Sequence, residues 1–579
     1  MLCLRWVIAF GLVVSACLAA TFGTIVPVTG ALFDIVLDEP RGRLYLVNPV
    51  YNRVEVYSIV QRRFLSPIAT DARPISAALA PSGKFLYVTC YDGTSLNAID
   101  PDSMAVVKRV SLPARPEGVA VGGDERVLMT TIGTGPNNSA STLLIYDPAA
   151  VATQAISNVV IAPPPPAAPQ VPPQQGRLAL AARSRLAASP DGRYIIGLNN
   201  INNSTGAAFV YEVASGTVLR SRYIGNISTV LSVAPDGSRF MAGLTLFDTE
   251  TLSVLAQQNA ANAPFPFQPG AQFSLTNNVG GSVFSPDGSL LYSAFNIPPL
   301  QQPPARANVG ELLVNDPENL LVHVAFQMAE NITGKTVITS DGGTIYAVSE
   351  SGMLILPVGR ANESPIAMPE STTLLLANDQ CGVTRDSRTA TVPVRNLGRG
   401  RMSVSLQLLQ TATTQQAGIP GLGGGAGGGA VGGGIIIVLP PAPGAPGSPD
   451  AGRGGGAAPA LPTGPGQQQP AVVQTAPLIR VDARDSSVQF FFNANAARSP
   501  GTITPHNFVI QAPEAINIPP RLRVYQNNRD AEARADLIPV EIGISDQEGL
   551  VDMVTDVSRQ RLYIANSGKN RVEVFDMRA

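Results

Sequence analysis

Ser189-Pro190-Asp191-Gly192 and Ser285-Pro286-Asp287-Gly288 are two copies of one turn signature. Ala80-Pro81-Ser82-Gly83, Ala234-Pro235-Asp236-Gly237 and Thr339-Ser340-Asp341-Gly342 are looser ones. Each copy follows a short apolar run and precedes an aromatic or aliphatic run such as Phe85-Leu86-Tyr87-Val88 or Ser289-Leu290-Leu291-Tyr292. Proline presets φ at the second turn position, aspartate is tolerated at the third, and glycine takes the left-handed conformation that closes strand-turn-strand. A unit recurring at roughly 40–50 residues points to a ring of small antiparallel sheets, one repeat per blade.

The remaining composition agrees with an all-β chain. Of 579 residues, 45% are hydrophobic and only 14% charged, with 55 Gly and 50 Pro, which argues against a helical bundle or coiled coil. A formal net charge of −2 provides no basic field for nucleic acid, so no nucleic-acid partner is expected. Residues 1–20 read as an export signal: Arg5, an apolar run from Trp6 to Val14, then small residues, with cleavage near Ala19 or Ala20. Val14-Ser15-Ala16-Cys17 also resembles a bacterial lipobox, in which Cys17 becomes the lipidated first residue. Secreted and lipid-anchored forms therefore both stand, and the expected location is outside the cytoplasm: secreted, periplasmic or cell-surface. No later stretch approaches the roughly 20 apolar residues of a membrane span, so none is expected after signal cleavage. Beyond the signal, with its Cys3 and Cys17, only Cys90 and Cys381 remain, in different expected domains. They read as small buried hydrophobes rather than a disulfide.

Taken in order, Phe33–Asp38, Arg43–Asn48 and Arg53–Tyr57 alternate as strands, and 64–68 can be the fourth strand of a first blade. A second unit runs from Pro74 through 85–89 and 96–100 to Val110, and a third from Pro116 to Asp147. A Pro-rich interruption at 163–175 cannot donate ladder hydrogen bonds and is expected as an extended surface loop. Four further units centre on Gly192, Gly237, Gly288 and Gly342, with another Pro/Gln-rich loop at 298–304. The expected propeller of about seven blades spans 33–370. Stacked blades bury one another's faces, because no blade can bury its own.

Leu86-Tyr87-Val88-Thr89, the Ser-Pro-Asp-Gly turns and the following Ile99-Asp100 resemble the Tyr-Val-Thr-Asn family of propeller repeats, found in exported bacterial and archaeal surface proteins. The resemblance covers more than half the chain and implies a seven-bladed propeller working outside the cell. The repeats also resemble those of lactonase-like seven-bladed propellers. WD40 repeats fit poorly: the only Trp is Trp6, and no Gly-His/Trp-Asp pairs occur.

From Glu370 the texture changes. Runs at 373–376, 389–394 and 402–406, the last two joined by Asn396-Leu397-Gly398-Arg399-Gly400, resemble the strand-turn-strand of bacterial Ig-like sandwich modules. More short strands follow at 479–481, 488–492, 508–510 and 538–542, giving an expected Ig-like β-sandwich over 371–543. A Gly/Pro-rich stretch at about 415–474 interrupts it and is expected as a disordered insertion. Its Gly runs are not a phosphate loop, since no Gly-Lys-Ser/Thr follows. At the C-terminus, 544–579 repeats the first blade. Asp34, Asp38, Leu44, Tyr45, Asn48, Asn52 and Arg53 match Asp552, Asp556, Leu562, Tyr563, Asn566, Asn570 and Arg571 in register. This repeat either begins a further propeller or docks elsewhere; the former is preferred.

Chemistry is sparse. His323 and His506 fall in different domains and propose no nucleophilic triad, and no haem, copper, zinc-protease or EF-hand spacing occurs. No catalytic, cofactor-binding or metal residues are assigned, and no cofactor is expected. Asp100, Asp102, Asp147, Asp191, Asp236, Asp248, Asp287 and Asp341 recur blade by blade. Such carboxylates could hold Ca²⁺ or act as acid and base, as the lactonase resemblance implies. Repetition at every blade favours turn structure instead, since a ring needs an active site only once. Asn203, Asn226, Asn331 and Asn362 open Asn-x-Ser/Thr sequons, which matter only in a glycosylating host. The leading reading is an exported, non-enzymatic scaffold binding a glycan, cell-wall or protein ligand. The rival is a hydrolase with carboxylates converging at the ring's centre.

Overall fold

The computed structural model describes residues 20–135, 140–160, 184–200, 205–225, 228, 230–258, 280–297, 309–377, 389–409, 436–438, 479–481, 487–493, 502–528, 549–567, 569 and 571–578. The chain divides into two compact units: 21–363 with 540–579, and 1–20 with 364–539.

In the first unit, alternating apolar runs and tight turns fold residues 24–356 into seven antiparallel sheets among the described residues. Sheet 1 contains Asp34–Asp38, Arg43–Asn48 and Arg53–Ser58. Sheet 2 contains Pro74–Leu79, Leu86–Cys90, Ser95–Asp100 and Ala105–Ser111. The same up-and-down order builds sheet 3 from Pro116–Val121, sheet 4 from Arg185–Ala188, sheet 5 from Leu231–Val233 and sheet 6 from Ser282–Phe284. Sheet 7 begins at Ile332–Ile338 and continues through Ile345–Ser349 and Gly352–Leu356. The first strands of successive sheets are neighbours, and that of sheet 7 lies beside that of sheet 1, so the series closes. This is a β-propeller.

Closure uses a strand outside the expected 33–370 range. Thr24–Pro27 pairs antiparallel with Gly352–Leu356 and supplies the outer strand of sheet 7. The ring thus runs from Thr24 to Leu356, with both ends of the chain segment in one sheet. The fourth strand of sheet 1 also differs from expectation. Arg63–Phe64 and Ile68–Ala69 pair separately with Arg53–Ser58, and Pro67, which lacks an N–H, lies in the gap between them.

Stacking supplies the stability. Val36, Tyr45, Val54 and Val56 of sheet 1 pack with Ala77, Leu86, Val88 and Cys90 of sheet 2. On the other face, Ile35, Leu44, Leu46 and Tyr57 pack with Tyr346, Val348 and Met353 of sheet 7. A fully buried side chain of this type contributes roughly 1.5–3 kcal/mol relative to exposure.

The second unit has two sheets around a shared core. One orders Ala367–Pro369, Thr389–Asn396, Ser487–Asn493 and Ile436–Val438. The other orders Thr373–Ala377, Leu522–Asn528, Thr502–Gln511, Met402–Leu409 and Ile479–Val481, the first pair being parallel. Val392, Val394, Phe490 and Phe492 from one sheet meet Val404, Leu406, Phe508 and Val524 from the other. Phe492 and Phe508 make an edge contact at 5.4 Å. The turn at Asn396–Gly400 carries the chain from one sheet to the other, so its flanking strands are not a hairpin pair. Asn396 organises this crossing, accepting from the Ile366 and Gly398 amides and donating to the Gly400 carbonyl. Within the expected insertion, Ile436–Val438 pairs with Ser487–Asn493. The rest of 415–474 and the expected strand at 538–542 lie outside the described residues.

Candidate functional site

The turn signature builds one face of the ring. In every full copy it joins the first and second strands of its sheet. The Gly288 N–H donates to the Ser285 carbonyl at 2.9 Å, with Gly288 at φ +72°. The Ser289 N–H and hydroxyl and the Ser285 hydroxyl all donate to the Asp287 carboxylate. These hydroxyl and amide donors, with the Ser285 hydroxyl strongest, lower the Asp287 pKa from 3.8 to about 2. Asp191, Asp236 and Asp341 accept the amide two residues on in the same way. Asp100, Asp147 and Asp248 also cap local backbone amides. Asp102 instead accepts Nε and Nη2 of Arg41 at 2.6 and 2.9 Å. The recurring aspartates therefore serve their own turns and neighbours.

The turns also interlock between sheets. The Arg41–Asp102 pair joins sheets 1 and 2, and the Ser82 N–H and hydroxyl donate to Glu125 of sheet 3 at 2.8 and 3.0 Å. The Gly123 N–H donates to the Gly192 carbonyl of sheet 4 at 3.0 Å, and the Ser340 N–H to Glu39 at 2.9 Å, linking sheets 7 and 1. This face is braced by hydrogen bonds at the turns themselves.

The opposite face carries the long connections. In an up-and-down sheet, the links from second to third strand and from fourth strand to the next sheet emerge on the same side. The strand ends flanking 161–183, 201–204, 259–279 and 298–308 all lie there. Those segments include the expected Pro-rich loops and lie outside the described residues. Between sheets 1 and 2 this face has a recess lined by Ala31, Phe33, Pro49, Val50, Asn52, Ala72, Arg73 and Asp92. Its lining mixes apolar side chains with a guanidinium, a carboxylate and an amide. Asn52 accepts the Arg73 N–H at 2.7 Å, and both residues hold positive φ. The guanidinium carbons of Arg73 and Arg115 lie 5.1 and 5.5 Å from the Tyr91 ring centre, close enough for cation–π attraction.

The ring's centre is occupied by a polar cluster around Asp34, buried on the first strand of sheet 1. The Ser76 hydroxyl and Ala77 N–H of sheet 2 donate to Asp34 Oδ2 at 2.8 and 3.0 Å. Lys335 Nζ of sheet 7 stands 3.3 Å from Oδ1, and Arg185 Nη1 of sheet 4 stands 3.7 Å from Oδ2. Burial alone raises this carboxyl's pKa, but Lys335, Arg185 and the two donors together hold it below the ordinary 3.8. Glu117, the nearby carboxylate of sheet 3, accepts the Ser184 N–H and hydroxyl at 3.0 and 2.6 Å. Asp34 and Glu117 are thus each engaged by groups of the protein itself. Among the described residues, no group of three or more His, Cys, Asp or Glu side chains is placed to hold a metal ion.

No family model matches the chain. No curated protein matches it either. Among solved structures it is similar to the hydrazine synthase of Kuenenia stuttgartiensis, at 15% identity and TM-score 0.39, covering 58% of this chain and 98% of that one. It is also similar to U3-55K, at 10% identity and TM-score 0.42, covering 59% of this chain and 99% of that one. Scores this low carry no argument about this chain, whose fold stands on its own strand pairing.

The other sequence candidates are scattered. His323 is exposed on Val322–Gln327 of the ring, and His506 lies on Thr502–Gln511 of the second unit. Cys90 is buried without a disulfide, and burial first, then Asp71, pushes its thiol pKa up to about 12. Cys17 and Cys381 lie outside the described residues, as do Asn203 and Asn226. Asn331 is buried and donates to Glu350 at 2.8 Å, so a glycan there would displace packed structure; Asn362 is exposed. Among the described residues, no helix is long and apolar enough to cross a membrane.

The Arg185–Asp34 connection had no sequence signal, because nothing local links a residue of the fourth repeat to one of the first. The recess was hidden for a similar reason: its residues come from four separate connections.

Proposed function

We propose that this protein is an exported, non-enzymatic propeller scaffold that binds a glycan, cell-wall or protein ligand through the face opposite its turns. The observation that carries this reading is the division of labour between the two faces. One is braced by turn-to-turn hydrogen bonds, while the long connections of sheets 3 to 6 leave and return on the other. The recess that includes Asn52, Arg73 and Asp92 gives that face a shallow surface of mixed apolar and polar side chains. In this reading the second unit is an Ig-like spacer or second binding module. At the centre, Asp34 is charge-paired with Lys335 and Arg185, which favours the binding reading over the hydrolase alternative.

The test is co-sedimentation of the purified chain with insoluble peptidoglycan and polysaccharides, alongside capture on arrayed glycans and surface proteins. Arg73→Ala with Tyr91→Ala, on the loop face, lowers binding to the retained ligand at least several-fold, whereas Ser82→Ala, on the turn face, leaves it unchanged. Equal loss with both variants, or lactone hydrolysis that Asp34→Asn abolishes, contradicts the reading.

A further inference from the structure

Two arginines converge on one tyrosine beside the recess of the loop face. Arg73 and Arg115 hold equivalent places, each just before the proline, Pro74 or Pro116, that opens the first strand of its sheet. Tyr91 begins the turn from second to third strand of sheet 2, and the two connections flank it. Its N–H donates to the Arg73 carbonyl at 2.8 Å, while the Arg73 N–H donates to Asn52 Oδ1 at 2.7 Å. The Arg73 backbone is thereby held from both sides, and its side chain stays 46% exposed. The Arg115 carbonyl accepts the Ile132 N–H at 3.0 Å, and its side chain is exposed as well. Both guanidiniums then meet the same Tyr91 ring.

Charge separates this cluster from the balanced pairs around it. Arg109 is matched by Asp71 at 3.0 Å, and Arg53 by Glu55 at 2.6 Å. Arg73 meets Asp92 at 3.7 Å with both side chains nearly half exposed, a pair that solvent screens to little net worth. Among the described residues, no carboxylate stands within ion-pair distance of Arg115. The cluster therefore holds two guanidiniums and one loosely held carboxylate. Stacking on the ring fixes where the guanidiniums sit and leaves their N–H forks to an incoming oxyanion. A carboxylate takes such a fork through two parallel hydrogen bonds. The recess supplies a different chemistry. Pro49, Val50 and Ala72 offer apolar contact, while Asn52 and Asp92 offer hydrogen bonds to hydroxyls. Asp92 lines the recess and Arg115 does not, so the place for hydroxyls and the place for an oxyanion lie side by side. A sugar ring with an acidic substituent presents that combination.

We propose that this cluster is a uronate subsite: the carboxylate of an acidic glycan seats at Arg73 and Arg115 beside Tyr91, and its sugar ring lies over the recess. The inference rests on the loop-face binding reading above and narrows it to one ligand class.

Isothermal titration of the full chain reads this with three probes. They are an oligogalacturonate, the same oligomer with its carboxyls reduced to alcohols, and an oligomer of glycerol phosphate. The wild type is expected to bind the oligogalacturonate at least about tenfold more tightly than the reduced oligomer, the factor expected for one charged hydrogen-bonded contact. It is expected to bind glycerol phosphate more weakly too, because that polymer has no sugar ring for the recess. Arg115→Ala is expected to lose about tenfold for the oligogalacturonate and to leave the reduced oligomer's affinity unchanged, which separates a lost contact from a lost fold. Tyr91→Phe keeps the ring face and should bind as the wild type does, whereas Tyr91→Leu should weaken binding several-fold. A wild type that does not bind the oligogalacturonate, equal affinity for the two oligomers, tighter binding of glycerol phosphate, or an Arg115→Ala variant that binds like the wild type overturns the proposal. The broader reading survives any of these if another glycan or a protein is retained by the chain and lost in the Arg73–Tyr91 double variant; it falls only on its own test.

Discussion

Arg185 Nη2 of sheet 4 donates to the Phe33 carbonyl at the edge of sheet 1 at 2.9 Å. The same guanidinium reaches the Ile75 carbonyl at 3.4 Å and the Asp34 carboxylate at 3.7 Å. Sheets 1 and 4 are not neighbours in the ring, so this side chain spans the ring's centre and ties opposite parts of it together. Lys335, by contrast, approaches Asp34 from the adjacent sheet 7.

Arg185→Ala should therefore destabilise the ring more than loss of a surface ion pair. Removing one member of a buried charge pair costs about 2–4 kcal/mol here, allowing for partial solvent access. Arg185→Lys should restore little, because an ammonium cannot donate along the fork's separate directions. Urea unfolding followed by far-ultraviolet circular dichroism checks this. An unchanged midpoint in Arg185→Ala would remove the tie's claim to stability.

The turn carboxylates make a pH prediction. Asp287 has a folded pKa of about 2 against 3.8 unperturbed, so the folded state binds its proton less readily. Its contribution is fully present above 3.8 and is lost as pH falls toward 2. The stability gap between wild type and Asp287→Asn should be largest near neutrality and shrink through that window. A gap that widens on acidification contradicts the assignment. Asp34, also lowered, should add to the same acid loss.

Gly197 pairs across the strands with Phe209, and a Cβ built at Gly197 would lie 2.1 Å from the Phe209 ring. The ring lies over the space a side chain would need. Gly197→Ala is expected to cost about 1–3 kcal/mol through overpacking. Phe209→Leu, destabilising alone, should recover part of that loss in the double variant. A double-mutant cycle on thermal or urea midpoints measures the coupling; additive losses would refute it.

Much of the propeller was readable one repeat at a time. The apolar run before Ser285, the turn through Gly288 and the run to Tyr292 carry their signal within a few residues, since turn conformation and strand alternation are short-range chemistry. The same locality made the turn aspartates readable as turn aspartates, and revealed 552–576 as a copy of 34–58.

The tertiary structure decided what joins distant repeats. Thr24–Pro27 has no local mark that assigns it to Gly352–Leu356, and Asn396–Gly400 does not announce that its flanking strands belong to different sheets. Arg185 looks like any strand-edge arginine until ring closure brings Phe33, Ile75 and Asp34 within its reach. The identity of Val36 and Val554 is likewise visible in the chain, while the cover over one and the exposure of the other is not. Turn geometry depends on adjacent residues; burial and ion pairing depend on which sheets are brought together, and only the folded ring determines that.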